Sequence, residues 1–158
     1  MLDTYLNVLQ ESLKKKITAL KSIEEINNAQ EEILRAESFD MEAFDRTVDE
    51  KDSYINELNK LDEGFETVYE KIKAELLPNK AKYAVQIKQL QNLISEITDR
   101  SVTIQAQESR NKKMVEQKFA KERQNLGKVR ISSKAAYGYY QNMSKSAGVS
   151  SRFMDEKK

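Results

Sequence analysis

Between Met1 and Leu126 only Gly64 and Pro78 are of the two residue kinds that break a helix, and the whole 158-residue chain holds four glycines and one proline. Sandwiches, barrels and alternating strand–helix folds need a turn every dozen residues or so, and tight turns draw on Gly and Pro for backbone angles that other residues avoid. A chain this poor in both is all-α.

Apolar spacing sets the helices. Leu2, Leu6, Leu9, Leu13, Ile17, Leu20, Ile23, Ile26 and Ile33 recur at steps of three and four, the signature of one stripe on a helix over about residues 3–36, with Asp3 or Thr4 as its N-cap. Asn27, Asn28 and Gln30 interrupt that stripe, so looser packing is expected toward its end. Ser38-Phe39-Asp40 then opens a second helix, about 41–77, with Asp40 as N-cap and Phe39 as a staple on the first turn. Its seam runs Met41, Phe44, Val48, Lys51, Ile55, Leu58, Asp62, Phe65, Tyr69, Ile72 and Leu76, in which Lys51 and Asp62 alone depart from the apolar pattern. A break in this helix would fall at Gly64, next to Asp62. Pro78 ends it, because proline has no N–H to donate and disfavours helix in the residue before it.

A third helix is expected over about 79–126, with the seam Tyr83, Ile87, Leu90, Ile94, Ile97, Ser101, Ile104, Glu108, Asn111, Val115 and Lys118. The apolar signal fades after Ile104, and Gly127 stands where a left-handed C-terminal cap belongs. Short connections favour antiparallel neighbours. The expected product is an elongated antiparallel bundle of three long helices, a single domain of residues 1–126, followed by a flexible tail, 127–158, that carries serines and tyrosines.

The chain has no His and no Cys, which removes structural zinc, histidine-ligated haem, the Ser-His and Cys-His nucleophile pairs and disulfides. No glycine-rich phosphate loop is present, and the carboxylates from Asp45 to Asp52 lie on a predicted helix without calcium-loop spacing. No catalytic, cofactor-binding or metal-binding residue is assigned, and an enzyme is the least expected reading. Asp3 stands where a signal peptide would be positive and no apolar run is long enough to span a bilayer, so a cytoplasmic protein is expected.

A net charge of +1 conceals a polar layout. Residues 40–70 carry eleven acidic and three basic side chains, and residues 110–134 carry nine basic and two acidic ones. The basic stretch is spread around its helix, with Phe119 its one interleaved aromatic, unlike single-strand binders in which aromatics alternate with charge. It reads as a solvated face, or as the electrostatic counterpart of the acidic helix, and no nucleic-acid partner is expected.

Two stretches are candidates for binding a partner. Glu108 and Asn111 occupy seam positions where leucine would be usual, with Arg110, Met114 and Val115 beside them. They either hold one end of the bundle open to a partner peptide or form a buried polar layer that fixes helix register. The second stretch is in the tail, where Tyr137, Gly138, Tyr139, Tyr140 and Met143 concentrate contact area of the kind enriched at binding hot spots. These aromatics either reach a partner or fold back over the sparse seam near Glu108 to Lys118, and the two are compatible, since a strip docked on its own bundle can be exchanged for a ligand.

The run from Thr47 to Asp62, with Asp49-Glu50-Lys51 followed by spaced Ile55, Leu58 and Leu61, resembles a segment of the FlgN-type flagellar export chaperones. Gln105-Ala106-Gln107-Glu108-Ser109-Arg110-Asn111 is similar to that family's Glu-x-Arg-Asn stretch, and Ala136-Tyr137-Gly138 resembles the Tyr-Gly that opens its C-terminal region. The resemblance places Lys51, which periodicity leaves unexplained. It implies an all-helical cytosolic chaperone whose C-terminal helix and tail bind hook-filament junction (hook-associated) proteins, with the flagellar export apparatus as a further partner, and it carries over to Arg110, Asn111, Tyr137 and Gly138. A monomer or weak homodimer is expected. The alternative is a structural or regulatory coiled-coil scaffold that homodimerises through the same seams.

Overall fold

The computed structural model describes residues 2–118 and Tyr139. Helix α1 spans Leu2–Arg35, α2 spans Met41–Leu76 and α3 spans Ala84–Lys118. At 1.5 Å per residue the 36 residues of α2 extend about 54 Å. Residues 36–40 join α1 to α2. There the Asp40 side chain accepts a hydrogen bond from the Ala43 N–H at 3.0 Å, and the Phe39 ring packs 5.7 Å from Phe44, which is the expected cap and staple.

The second connection is longer than Pro78 by itself suggests. Leu77–Asn79 forms a 3-10 turn, and the Asn79 carbonyl accepts from the N–H groups of both Lys82 and Tyr83. Asn79 Nδ2 also donates back to the Glu75 carbonyl at 2.7 Å. These bonds satisfy the end of α2 and tighten the chain into a corner, so α3 begins at Ala84 rather than immediately after the proline. The expected extension of the third helix to 126 and its Gly127 cap lie outside the described residues.

Cross-helix hydrogen bonds give the topology. Ser12 donates to the Leu61 carbonyl and Gln30 to Thr47, pairs in which one number rises as the other falls, so α1 and α2 are antiparallel. Gln86 with Asp3, Asn27 with Gln107 and Lys118 with Leu34 keep a nearly constant separation, so α1 and α3 are parallel, as an up-down-up bundle requires. Helix α1 packs along both others, whereas the α2 and α3 backbones approach one another at few points.

The apolar stripes close on each other in two clusters. The larger runs from Leu2 to Ile23 on α1 and takes in Ile55, Leu58, Tyr69, Ile72 and Leu76 of α2 with Ile87 to Ile104 of α3. Leu34, Phe44, Val48 and Val115 form the smaller one at the opposite end. Leu9, Leu20, Ile23, Phe44, Ile55 and Leu58 are fully enclosed, and each such side chain stabilises the fold by about 1.5–3 kcal/mol through removal from water. Among the described residues no helix is long and apolar enough to cross a membrane.

Helix α2 runs through Gly64 without a break, at a negative φ and with open space where a Cβ would sit. A glycine there adds chain entropy to the unfolded state and gives nothing back in the folded one. Gly64→Ala is therefore expected to stabilise the protein by about 0.5–1 kcal/mol in urea denaturation. A loss of stability would mean that the backbone at residue 64 departs from helix in solution.

Candidate partner-binding site

Between the two apolar clusters lies a layer of buried polar side chains from all three helices: Asn27 and Gln30 of α1, Thr47 and Lys51 of α2, Gln107 and Asn111 of α3. Three- and four-residue spacings on each helix put them at one level. Asn27 Nδ2 donates to Gln107 Oε1 at 3.2 Å, and Gln107 Nε2 donates in turn to the Glu24 carbonyl and to Asn28 Oδ1. Asn111 Nδ2 donates to the Asn27 carbonyl at 3.0 Å and reaches Gln30 Oε1 at 3.4 Å. Gln30 Nε2 donates to Thr47 Oγ1, whose own proton goes to the Phe44 carbonyl. Asn27 Oδ1 is left without a partner among the described residues, but the bonds that are made fit one alignment of the helices, because sliding any of them by a turn would strand further buried donors and acceptors.

Lys51 completes the layer. It is 1% exposed, and its ammonium donates to Gln30 Oε1 at 3.1 Å and to Glu108 Oε1 at 2.6 Å. This ion pair spans α2 and α3 where their backbones stand apart, a reach for which the long lysine stem is suited. Burial pushes the Lys51 pKa down from its ordinary value, and the neighbouring Glu108 carboxylate works against that shift. Asn27 and Gln30, 1% and 0% exposed, thus do not loosen the end of α1 as their interruption of the stripe suggested. Gln30 hydrogen-bonds to both other helices, and Asn27 to Gln107 and Asn111 of α3.

The predicted site residues therefore separate. Glu108, Asn111 and Val115 turn inward, the first two into the polar layer and Val115 into the smaller apolar cluster. Arg110 is exposed and Met114 half-buried at the edge of that cluster, so these two present the outer face of α3. Lys118, from the basic stretch, donates to the Leu34 and Ala36 carbonyls at 3.2 and 3.0 Å and lies 5.8 Å over the Phe39 ring. It caps the C-terminus of α1, where unpaired carbonyls and the helix dipole favour a cation.

Of the tail residues, Tyr137, Gly138, Tyr140 and Met143 lie outside the described residues. Tyr139 has helical backbone, is 4% exposed and belongs to the larger apolar cluster. Lys16 Nζ stands 5.8 Å from its ring centroid and donates at 2.6 Å to Asp62 Oδ1. Burial, and next the Asp62 carboxylate, raise the Tyr139 pKa above the ordinary tyrosine value. Asp62, the second off-pattern seam position, thereby acquires a role. This contact is far from the Glu108 to Lys118 seam that the tail was expected to cover. That seam is closed by its own polar layer and by Val115, whereas the level of Asp62 leaves room for an aromatic ring. Lys16 was not singled out from the sequence; the available signal was a lysine one residue before seam position Ile17, with an acidic seam position on the next helix.

Three long helices held in register by a hydrogen-bonded polar layer, with Tyr139 from beyond α3 buried in their apolar cluster, define an all-helical bundle. The chain belongs to the FlgN family: the family model described as FlgN protein matches residues 1–145. FlgN proteins are flagellar export chaperones. No curated protein and no solved structure matched the chain.

Proposed function

We propose that the protein is a cytosolic chaperone of flagellar export that holds hook-filament junction proteins through the outer face of α3 and the tail beyond it, and that presents them to the export apparatus. The observation that carries this reading is Tyr139, an aromatic from beyond α3 that is accepted into the bundle's own apolar cluster. A surface that takes up one apolar knob from outside the three helices is suited to take up another from a partner helix. The polar layer sharpens where contact falls. Glu108 and Asn111 are committed to the bundle, so Arg110 and Met114 on α3, with Tyr137, Tyr140 and Met143 in the tail, remain for the partner. A dimeric scaffold finds less support, because the stripes that would pair two chains are already closed within one, and the large apolar side chains exposed among the described residues are the scattered Val8, Val85 and Val102.

The test is calorimetric titration of the full chain with a purified hook-filament junction protein. Replacing Tyr137, Tyr140 and Met143 together by alanine is expected to weaken binding at least tenfold, with circular dichroism unchanged, since truncating hot-spot aromatics costs upward of about 2 kcal/mol. Undiminished affinity would remove the tail from the reading.

A further inference from the structure

From the divergence of α2 and α3 and the position of Tyr139, we infer that the cleft between these helices at the level of Asp62 is a helix-docking seat, filled in the free chain by the segment that carries Tyr139. Three observations combine. In a closed three-helix bundle each helix packs on both others, yet α2 and α3 have few close backbone approaches. At the upper level the space between them is spanned by the Lys51–Glu108 pair. Lower down, Asp62 follows Val48 and Ile55 at seven-residue intervals on α2, and Val48 on this stripe packs in the same cluster as Val115 of α3. Tyr139 sits beside Asp62 in helical conformation with its ring among the core residues, which is how a knob of a fourth helix enters a hole between two others.

Charge favours the same occupant. Residues 2–118 carry 23 acidic and 18 basic side chains, whereas residues 119–158 carry nine basic and three acidic. A basic segment is attracted to this acidic bundle, and its tether holds it at an effective concentration in the millimolar range, so a moderate contact keeps the seat filled. The Lys16–Asp62 pair, with side chains 11% and 36% exposed, gives the phenol a polar neighbour and lets an aromatic with a polar tip be preferred over a purely aliphatic knob. The seat therefore suits a helix with a tyrosine-like knob and basic flanks. As a deepening of the proposed function, a partner helix that uses it must displace Tyr139. The seat itself stands whether or not that partner is a flagellar subunit.

The probe is a synthetic peptide of residues 131–145 of this chain, titrated into the full-length protein. Tyr139→Ala in the protein empties the seat, so the peptide is expected to bind this variant at least tenfold more tightly than the wild type, in which the tethered segment competes. A peptide carrying its own Tyr139→Ala change should bind neither. Equal binding to variant and wild type, equal binding of the two peptides, or no binding at all would overturn the seat. A second measurement needs no variant: in native-state hydrogen exchange of the full chain the Tyr139 amide should be protected at least tenfold beyond its unstructured rate, and an unprotected amide overturns the docking directly. A peptide that binds as described while the junction protein does not bind would leave the seat in place and remove the flagellar reading.

Discussion

Replacing Glu108 by alanine is expected to destabilise the protein by about 3 kcal/mol, whereas replacing Lys51 by methionine is expected to change stability by less than about 1 kcal/mol, in either direction. The asymmetry follows from which charge is left behind. Lys51 is enclosed, and without Glu108 its ammonium keeps only Gln30 Oε1 within the layer. It must then stay charged at a high desolvation cost or give up its proton. Glu108 has a side chain 13% exposed, so without Lys51 it can turn to water, while methionine fills the space of the lysine stem. Urea denaturation of both variants checks the pair, and equal losses would mean that the ion pair is worth more than its desolvation. The pH dependence gives an independent reading. Because burial lowers the folded pKa of Lys51 below 10.5, the unfolded chain binds a proton that the native protein releases, so wild-type stability rises with pH as that lowered value is passed. Lys51→Met lacks this rise. Tyr139 acts in the opposite sense, since its folded pKa is raised and its contribution is lost as pH climbs past the ordinary 10.0, so the comparison is read below that pH.

Phe44→Ala is expected to cost about 3–4 kcal/mol, the usual range for emptying an aromatic site in a core. Phe44 is 0% exposed, and its ring is the largest side chain of the small cluster with Leu34, Val48 and Val115, stapled by Phe39. The polar layer separates this cluster from the rest of the core, so the loss should be regional. In hydrogen exchange, amides near the end of α1, the start of α2 and the end of α3 should lose most of their protection, while those around Leu6 to Leu20 keep theirs. A uniform loss would show that the layer transmits packing instead of dividing it.

Much of the architecture was legible in the chain. Gly and Pro scarcity, three- and four-residue apolar spacing, the Phe39-Asp40 start signal and Pro78 are local features, and local features specify helices, caps and connections. Gly64 was ambiguous for the same reason: its cost inside a helix is about 1 kcal/mol, which packing on either side of it outweighs. The tail's tyrosines read as a candidate binding strip, and nothing local to them tells where Tyr139 docks. Composition says that a ring seeks burial and says nothing about where a vacancy lies. The short sequences around Lys51 and Arg110 pointed to the FlgN family, and the match over residues 1–145 agrees with them.

Helicity, the places where the chain turns and the buried stripe of each helix can be read along the chain, because they depend on residues within a few positions of one another. The off-pattern residues find their roles only once the helices pack. Lys51 and Glu108, Asn27 and Gln107, Lys16 and Asp62 are each separated by 46 or more residues in the chain, and only the packing of three helices makes them partners. A buried charge or amide is tolerated according to what stands opposite it, and that is a property of the assembled bundle.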